Sequence, residues 1–302
     1  MITVVVPSYK SHYREFSRLL QTNEKFNTDK DQTIILVVIS EDEFEMFNSL
    51  KNVYNNLKIC IFKDLMKKYF NIHFDDENVF LKKKGPNVFQ SLKKLLGMLE
   101  SETDDIFLTD SETHFIRAIS LITEITKFKK TVLYTFKHEN NVQTIVVEIT
   151  RKILECDVNI SLPYVGMVFS YQWCFRKEDV FSFFNRYRQR LVDIVILTQL
   201  PYFFIEHTFY SFLFLNQQSN NHYSFLNVTE VNNMREHFWA DNLNAEKDHD
   251  VMRYLLPIHH MFCYSIQNTF NDSRNAQFIQ KYDNFKILTS TPTFFTINNG
   301  QH

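Results

Sequence analysis

Asp105-Ile-Phe-Leu-Thr-Asp110-Ser-Glu112 is a short apolar run that ends in two acidic residues one position apart. Ile106, Phe107 and Leu108 form an unbroken apolar stretch, as expected of a strand in a parallel sheet covered on both faces. Asp110 and Glu112 fall just past its carboxyl end, and that end is where ligands bind in open α/β sheets. Two carboxylates spaced in this way can converge on a hard divalent cation such as Mn²⁺ or Mg²⁺, which takes oxygen ligands and keeps positions open for substrate phosphates.

Working back from this run, residues 88–100 place Val88, Leu92, Leu95, Leu96 and Leu99 on one face. That spacing predicts an amphipathic helix, and Asn87, after Gly85-Pro86, is placed to cap it. Earlier still, strand-like runs at residues 3–7, 33–40 and 58–62 alternate with helical spacing at 13–20 and 41–55. This rhythm predicts an α/β fold: a mostly parallel central sheet flanked by helices.

Forward of the acidic triplet the pattern changes. Residues 131–136 and 143–149 read as strands, joined as a hairpin across 139–141. Residues 177–191 and 202–215 read as aromatic-rich helices, 217–250 as polar loop, and 289–302 as a loosely attached Thr/Asn-rich tail. No repeat or clear linker divides the chain. One domain over 1–302 is expected, with a variable C-terminal half.

Composition sets limits on function. The formal net charge of −2 provides no basic field that would favour nucleic acid or an anionic membrane surface. The four cysteines (Cys60, Cys156, Cys174 and Cys263) are scattered, with no metal-ligand or disulfide spacing, which fits a reducing compartment. A strand-like run begins at Ile2 without a basic leader, and no apolar stretch reaches the roughly 18 residues that a transmembrane helix needs. The expectation is a soluble, cytoplasmic protein. Glycine is rare, with 4 in the chain, so Gly166 is expected to meet a backbone need, either a positive φ or a close approach.

An apolar strand followed by an acidic-x-acidic triplet resembles the DxD motif of nucleotide-sugar glycosyltransferases of the GT-A fold, here as the DxE variant Asp110-Ser111-Glu112. The N-terminal Val4-Val5-Val6-Pro7-Ser8-Tyr9 is similar to the opening strand and turn of such enzymes. The resemblance is closest to small soluble transferases of bacterial polysaccharide loci and large algal DNA viruses, some of them xylosyltransferase-like. It covers about the first 215 residues.

The resemblance assigns residues 1–130 to the nucleotide-sugar donor and residues 131–302 to a glycan acceptor. Pro7, Ser8 and Tyr9 would lie against the nucleoside, and Asp110 and Ser111 at the diphosphate. Lys93 or Lys94, on the helix before the motif, would offset the phosphate charge. Asp110 and Glu112 would hold Mn²⁺ or Mg²⁺, with a late histidine completing the site: His260, of the His259-His260 pair, in competition with Asp248-His249-Asp250 and His237. Gly166 precedes an aromatic segment in which Tyr171, Gln172 and Trp173 suit a sugar platform.

Glu206 is an acid inside the apolar run 202–210 and would be the general base for the attacking hydroxyl. The implied reaction is an inverting transfer, with a UDP-sugar favoured and UDP-xylose one option. A nucleotidyltransferase acting on sugar phosphates is the alternative enzyme class, although Ser8-Tyr9-Lys10-Ser11 lacks the glycines of a phosphate loop. A non-catalytic nucleotide- or carbohydrate-binding module is the third reading.

Overall fold

A computed structural model of the chain describes residues 1–74, 76–111, 113–115, 118, 120–123, 131–136, 141–157, 160, 162–166, 173–216, 223–227, 263–267 and 294–298. Its strands are β1 (Ile2–Pro7), β2 (Thr33–Ile39), β3 (Leu57–Ile61), β4 (Asp105–Leu108), β5 (Thr113–Phe115) and β6 (Thr131–Phe136). They continue as β7 (Tyr164–Gly166), β8 (Trp173–Arg176), β9 (Tyr223–Asn227), β10 (Cys263–Gln267) and β11 (Phe294–Asn298).

Among the described residues the central sheet has five strands, in the order β3-β2-β1-β4-β8. The first four pair in parallel, and β8 adds antiparallel to β4 at the edge. Every residue of β1 is buried, which accounts for its apolar Val4-Val5-Val6 run, and the buried Thr3 hydroxyl bonds Thr103 Oγ1 at 2.9 Å.

Side chains alternate between the two faces with the strand period. Ile2, Val4, Val6, Ile35, Val37, Ile39 and Phe107 pack with Phe16, Leu19 and Leu20 of helix α1 (Tyr13–Phe26) and with Phe47 of α2 (Phe44–Asn48). Val5, Leu36, Val38, Ile106 and Leu108 face the other way, into the larger core. That core is built from α3 (Phe62–Phe70), α4 (Glu77–Lys84), α5 (Pro86–Leu99), α6 (Asn141–Leu154), α7 (Lys177–Arg190) and α8 (Ile205–Leu215).

Helix α5 is the pivot of the larger core. It lies directly on β1 and β2, where a Cβ on Gly97 would fall 2.5 Å from Val5 Cγ1 and 3.1 Å from Val38 Cγ2. Its outer side is covered in turn by α3, α7 and α8. A helix sandwiched in this way has no solvated face, so Lys93 and Lys94 are both buried. Its start also differs from expectation. Gly85, at φ 82°, is the cap and Pro86 opens the helix, so Asn87 lies inside it. Proline suits the first helical position because its missing N–H has no partner there in any case.

Three further expectations are corrected. Residues 143–149 belong to helix α6, so there is no hairpin. The buried Gln143, Val146, Val147, Thr150, Ile153 and Leu154 recur at helical spacing, and that stripe outweighs the strand preference of the β-branched run. Residues 41–55 do not form one helix: they break into 3₁₀ turns around the short α2. Residues 294–298 of the expected C-terminal tail are tied in. β11 pairs with β10 and, antiparallel, with β5, setting Thr296 opposite Thr113 just after the acidic motif.

Candidate functional site at the strand switch point

β1 lies between β2 and β4, both parallel to it, so the chain leaves β1 toward one side of the sheet and returns on the other. At such a switch point the loops diverge and leave a crevice at the carboxyl ends of the strands. The two bordering loops are Ser8-Tyr9 after β1 and Thr109-Asp110-Ser111 after β4. Backbone bonds fix both: Ser8 N–H donates to Val38 O (3.1 Å), Thr109 N–H to Val5 O (3.0 Å) and Thr113 N–H to Asp110 O (3.1 Å). A side-chain bond of 3.0 Å between His12 Nδ1 and Ser111 Oγ joins the loops.

Lys94 is at the centre of the site. Its ammonium lies 3.1 Å from Asp110 Oδ1 and donates a hydrogen bond to Glu206 Oε1. The three side chains are only 6%, 10% and 9% exposed. Gln90, one turn before Lys94 on α5, donates from Nε2 to the same Asp110 oxygen at 3.1 Å. Burial disfavours the Lys94 charge, but Asp110 and then Glu206 outweigh it and hold its pKa above the ordinary lysine range.

Glu206 is in the first turn of α8, where the helix dipole favours a carboxylate. Ser91 pins that turn to α5: its hydroxyl donates to Phe203 O (2.6 Å) and accepts from Ile205 N–H (3.4 Å). Expected as an isolated acid among apolar side chains, Glu206 instead shares an ion pair with Lys94. Its Oε2 is buried and has no hydrogen-bond partner among the described residues. Leaving such an acceptor unmet costs about 1–3 kcal/mol.

Lys93 turns toward the β1 loop. Its ammonium donates to Ser8 O (2.8 Å), lies 3.9 Å from Glu43 Oε2 and sits 4.2 Å above the Tyr9 ring. Complete burial pulls its pKa down to about 8, against the opposing pull of Glu43, Glu77 and Asp42. Of the two lysines, Lys94 is therefore the one beside Asp110, while Lys93 braces Ser8 and Tyr9 behind it. Ser8 Oγ is buried with no partner among the described residues. His207, next to Glu206, bonds Ser211 Oγ through Nδ1 at 3.0 Å, and burial lowers its pKa to about 3, so it is neutral.

Asp110, expected at the ligand-binding end of its strand, is buried there, with Lys94 and Gln90 on its Oδ1. Glu112, His237, Asp248, His249, Asp250, His260, Tyr171 and Gln172 lie outside the described residues. Gly166 pairs opposite Tyr134 in β7, and Trp173 opposite Leu108 in β8. Among the described residues, no group of three or more His, Cys, Asp or Glu side chains is gathered around a metal position. Asp110 still suits a hard cation: Oδ1 takes both the Lys94 and Gln90 contacts, while Oδ2 takes part in neither.

Gln90, Ser91, His12 and Glu43 were not anticipated from sequence. Gln90 had a signal, since it stands four residues before Lys94 and so shares its helix face. The others are placed by tertiary contacts that the sequence pattern does not encode.

No protein-family model matches the chain, and no curated protein matches it. Solved structures resemble it in arrangement. Mouse xyloside xylosyltransferase 1 (apo form) aligns at 11% identity and TM-score 0.41, over 78% of this chain and 93% of that one. Staphylococcus aureus TarS 1-349 aligns at 14% identity and TM-score 0.37, over 96% of this chain and 72% of that one. The glycosyltransferase GlyE of Streptococcus pneumoniae aligns at 13% identity and TM-score 0.38, over 97% of this chain and 53% of that one. Likenesses at TM-scores this low carry no weight for the chemistry of this chain. No helix among the described residues is long and apolar enough to cross a membrane.

Proposed function

We propose that the chain is a GT-A-type glycosyltransferase that moves a sugar from a nucleoside-diphosphate donor to a glycan hydroxyl. The observation that carries this reading is the buried Asp110–Lys94–Glu206 cluster at the switch point, with an oxygen on Glu206 that has no partner among the described residues. Residues 1–130 would serve the donor and residues 131–302 the acceptor. Ser8 and Tyr9 would meet the nucleoside. Lys94 would face the diphosphate, where a compact ammonium offsets phosphate charge.

Glu206 Oε2 would accept the proton of the acceptor hydroxyl. The hydroxyl oxygen bonds to the anomeric carbon as the bond from that carbon to the diphosphate breaks, and the nucleoside diphosphate departs. Attack from the side opposite the leaving group makes the transfer inverting. Asp110, with Glu112 and His260, would hold Mn²⁺ or Mg²⁺, which when bound supplies Lewis-acid stabilisation of the leaving diphosphate. UDP is the favoured nucleotide, and UDP-xylose one donor within that class.

Thermal unfolding with UDP, GDP and CMP, each with and without Mn²⁺, tests this reading. The expected result is stabilisation by one diphosphate that depends on Mn²⁺ and is lost in Asp110→Ala. At a nucleotide concentration 100 times Kd it amounts to about 2.7 kcal/mol. If no nucleotide shifts the melt under any condition, a non-catalytic module replaces the transferase. Stabilisation by UTP, added as a fourth ligand, with none by UDP or GDP, would favour nucleotidyl transfer.

A further inference from the structure

Lys94 serves both halves of the site. Its ammonium bridges Asp110 Oδ1, on the loop after β4, and Glu206 Oε1, in the first turn of α8. These two acids come from segments that the functional reading assigns to different substrates. Among the described residues, two carboxylates, Asp110 and Glu206, face this ammonium, a compact charge with three donors on a flexible four-carbon stem. The frame around it is fixed: Ser91 holds the start of α8 against α5, and Gln90 holds Asp110. What can rearrange with little backbone motion is the lysine side chain.

We propose that Lys94 is a positioning residue that passes from Glu206 to the donor diphosphate, so that Glu206 is released toward the acceptor only when the donor is in place. The inference rests on the transferase reading of the same site. A phosphate oxygen arriving beside Asp110 competes with Glu206 for the same ammonium, and charge-assisted bonds to phosphate and to carboxylate are of similar strength. Releasing Glu206 Oε1 leaves a carboxylate whose Oε2 has no partner among the described residues, ready for a hydroxyl. The donor is therefore expected to bind first.

Because Glu206 competes with the diphosphate, removing its charge should tighten diphosphate binding. Titration calorimetry with UDP and with uridine, both in Mn²⁺, measures this on wild type, Glu206→Gln, Lys94→Met and the double variant. Glu206→Gln is expected to bind UDP about tenfold tighter than wild type, with uridine affinity unchanged. In the Lys94→Met background the same substitution is expected to yield no gain. If Glu206→Gln fails to fold, Glu206→Leu removes the same charge and takes its place.

Equal or weaker UDP binding in Glu206→Gln overturns the hand-over, as does a gain that persists without Lys94, since that would be simple charge repulsion. Either result leaves the transferase reading standing. Absence of UDP, GDP and CMP binding in wild type overturns both.

Discussion

Lys94→Met tests the electrostatic frame independently of any ligand. Methionine keeps the unbranched stem and removes the ammonium, leaving Asp110 and Glu206 as two carboxylates at 10% and 9% side-chain exposure. Removing one partner of a buried ion pair typically costs about 3–5 kcal/mol, because the remaining charge is left uncompensated. Here two like charges remain, so the loss should reach the upper part of that range. It is a large fraction of the roughly 5–15 kcal/mol by which domains are stable.

The pH dependence has a definite sign. The Lys94 pKa is raised on folding, so its contribution is complete below the ordinary lysine pKa and lost only as pH rises through the higher folded value. Wild type therefore keeps this contribution at both about pH 8 and about pH 5.5. In the variant, acid lets a carboxylate take up a proton and relieves the repulsion, so the deficit should shrink at the lower pH. Urea unfolding of wild type, Lys94→Met and Lys94→Met/Glu206→Gln at both values measures this, with the double variant recovering part of the loss. A loss below about 1 kcal/mol, the size of an exposed pair, would refute the reasoning.

Two other buried positions give measurable outcomes. The His207 pKa is lowered from 6.5 to about 3, so its stability contribution is complete above pH 6.5 and declines as pH falls toward 3. The slope is at most about 1.4 kcal/mol per pH unit, and His207→Gln should flatten acid unfolding in that window; an unchanged acid slope would exclude His207 as its source. Gly97→Ala gains helix propensity but drives a methyl to within 2.5 Å of Val5 Cγ1, a stiff β-branched side chain. Overpacking of about 1–3 kcal/mol should exceed the propensity gain of about 1 kcal/mol, so the urea midpoint should fall; a raised midpoint would show that the sheet gives way.

The parallel strands were legible from sequence because their burial on both faces leaves an unbroken apolar signature, as in Val4-Val5-Val6 and Ile106-Phe107-Leu108. Helix α5 was legible from its leucines, but its surroundings were not. Only tertiary packing reveals that α3, α7 and α8 cover its second side and bury Lys93 and Lys94. Residues 143–149 were misread because a β-branched run has local strand preference, while the helix is fixed by its buried stripe. β5 and β11 are short, and their pairing spans most of the chain, so no local pattern marks it. Asp110 and Glu206 stood out as acids beside apolar runs. Their meeting through Lys94 depends on α8 docking against α5, which spacing along the chain does not specify.

Glu206 as the general base of a sugar transfer is the central claim, and release of UDP from UDP-sugars tests it most directly. Wild type and Glu206→Gln would be assayed with UDP-xylose and UDP-glucose in Mn²⁺, with water as the acceptor of last resort so that no glycan need be known. The account predicts UDP release by wild type. It also predicts a drop of roughly 10²–10⁴-fold in Glu206→Gln, while that variant still binds UDP. Undiminished release by Glu206→Gln, or no release from either donor by wild type, would contradict it.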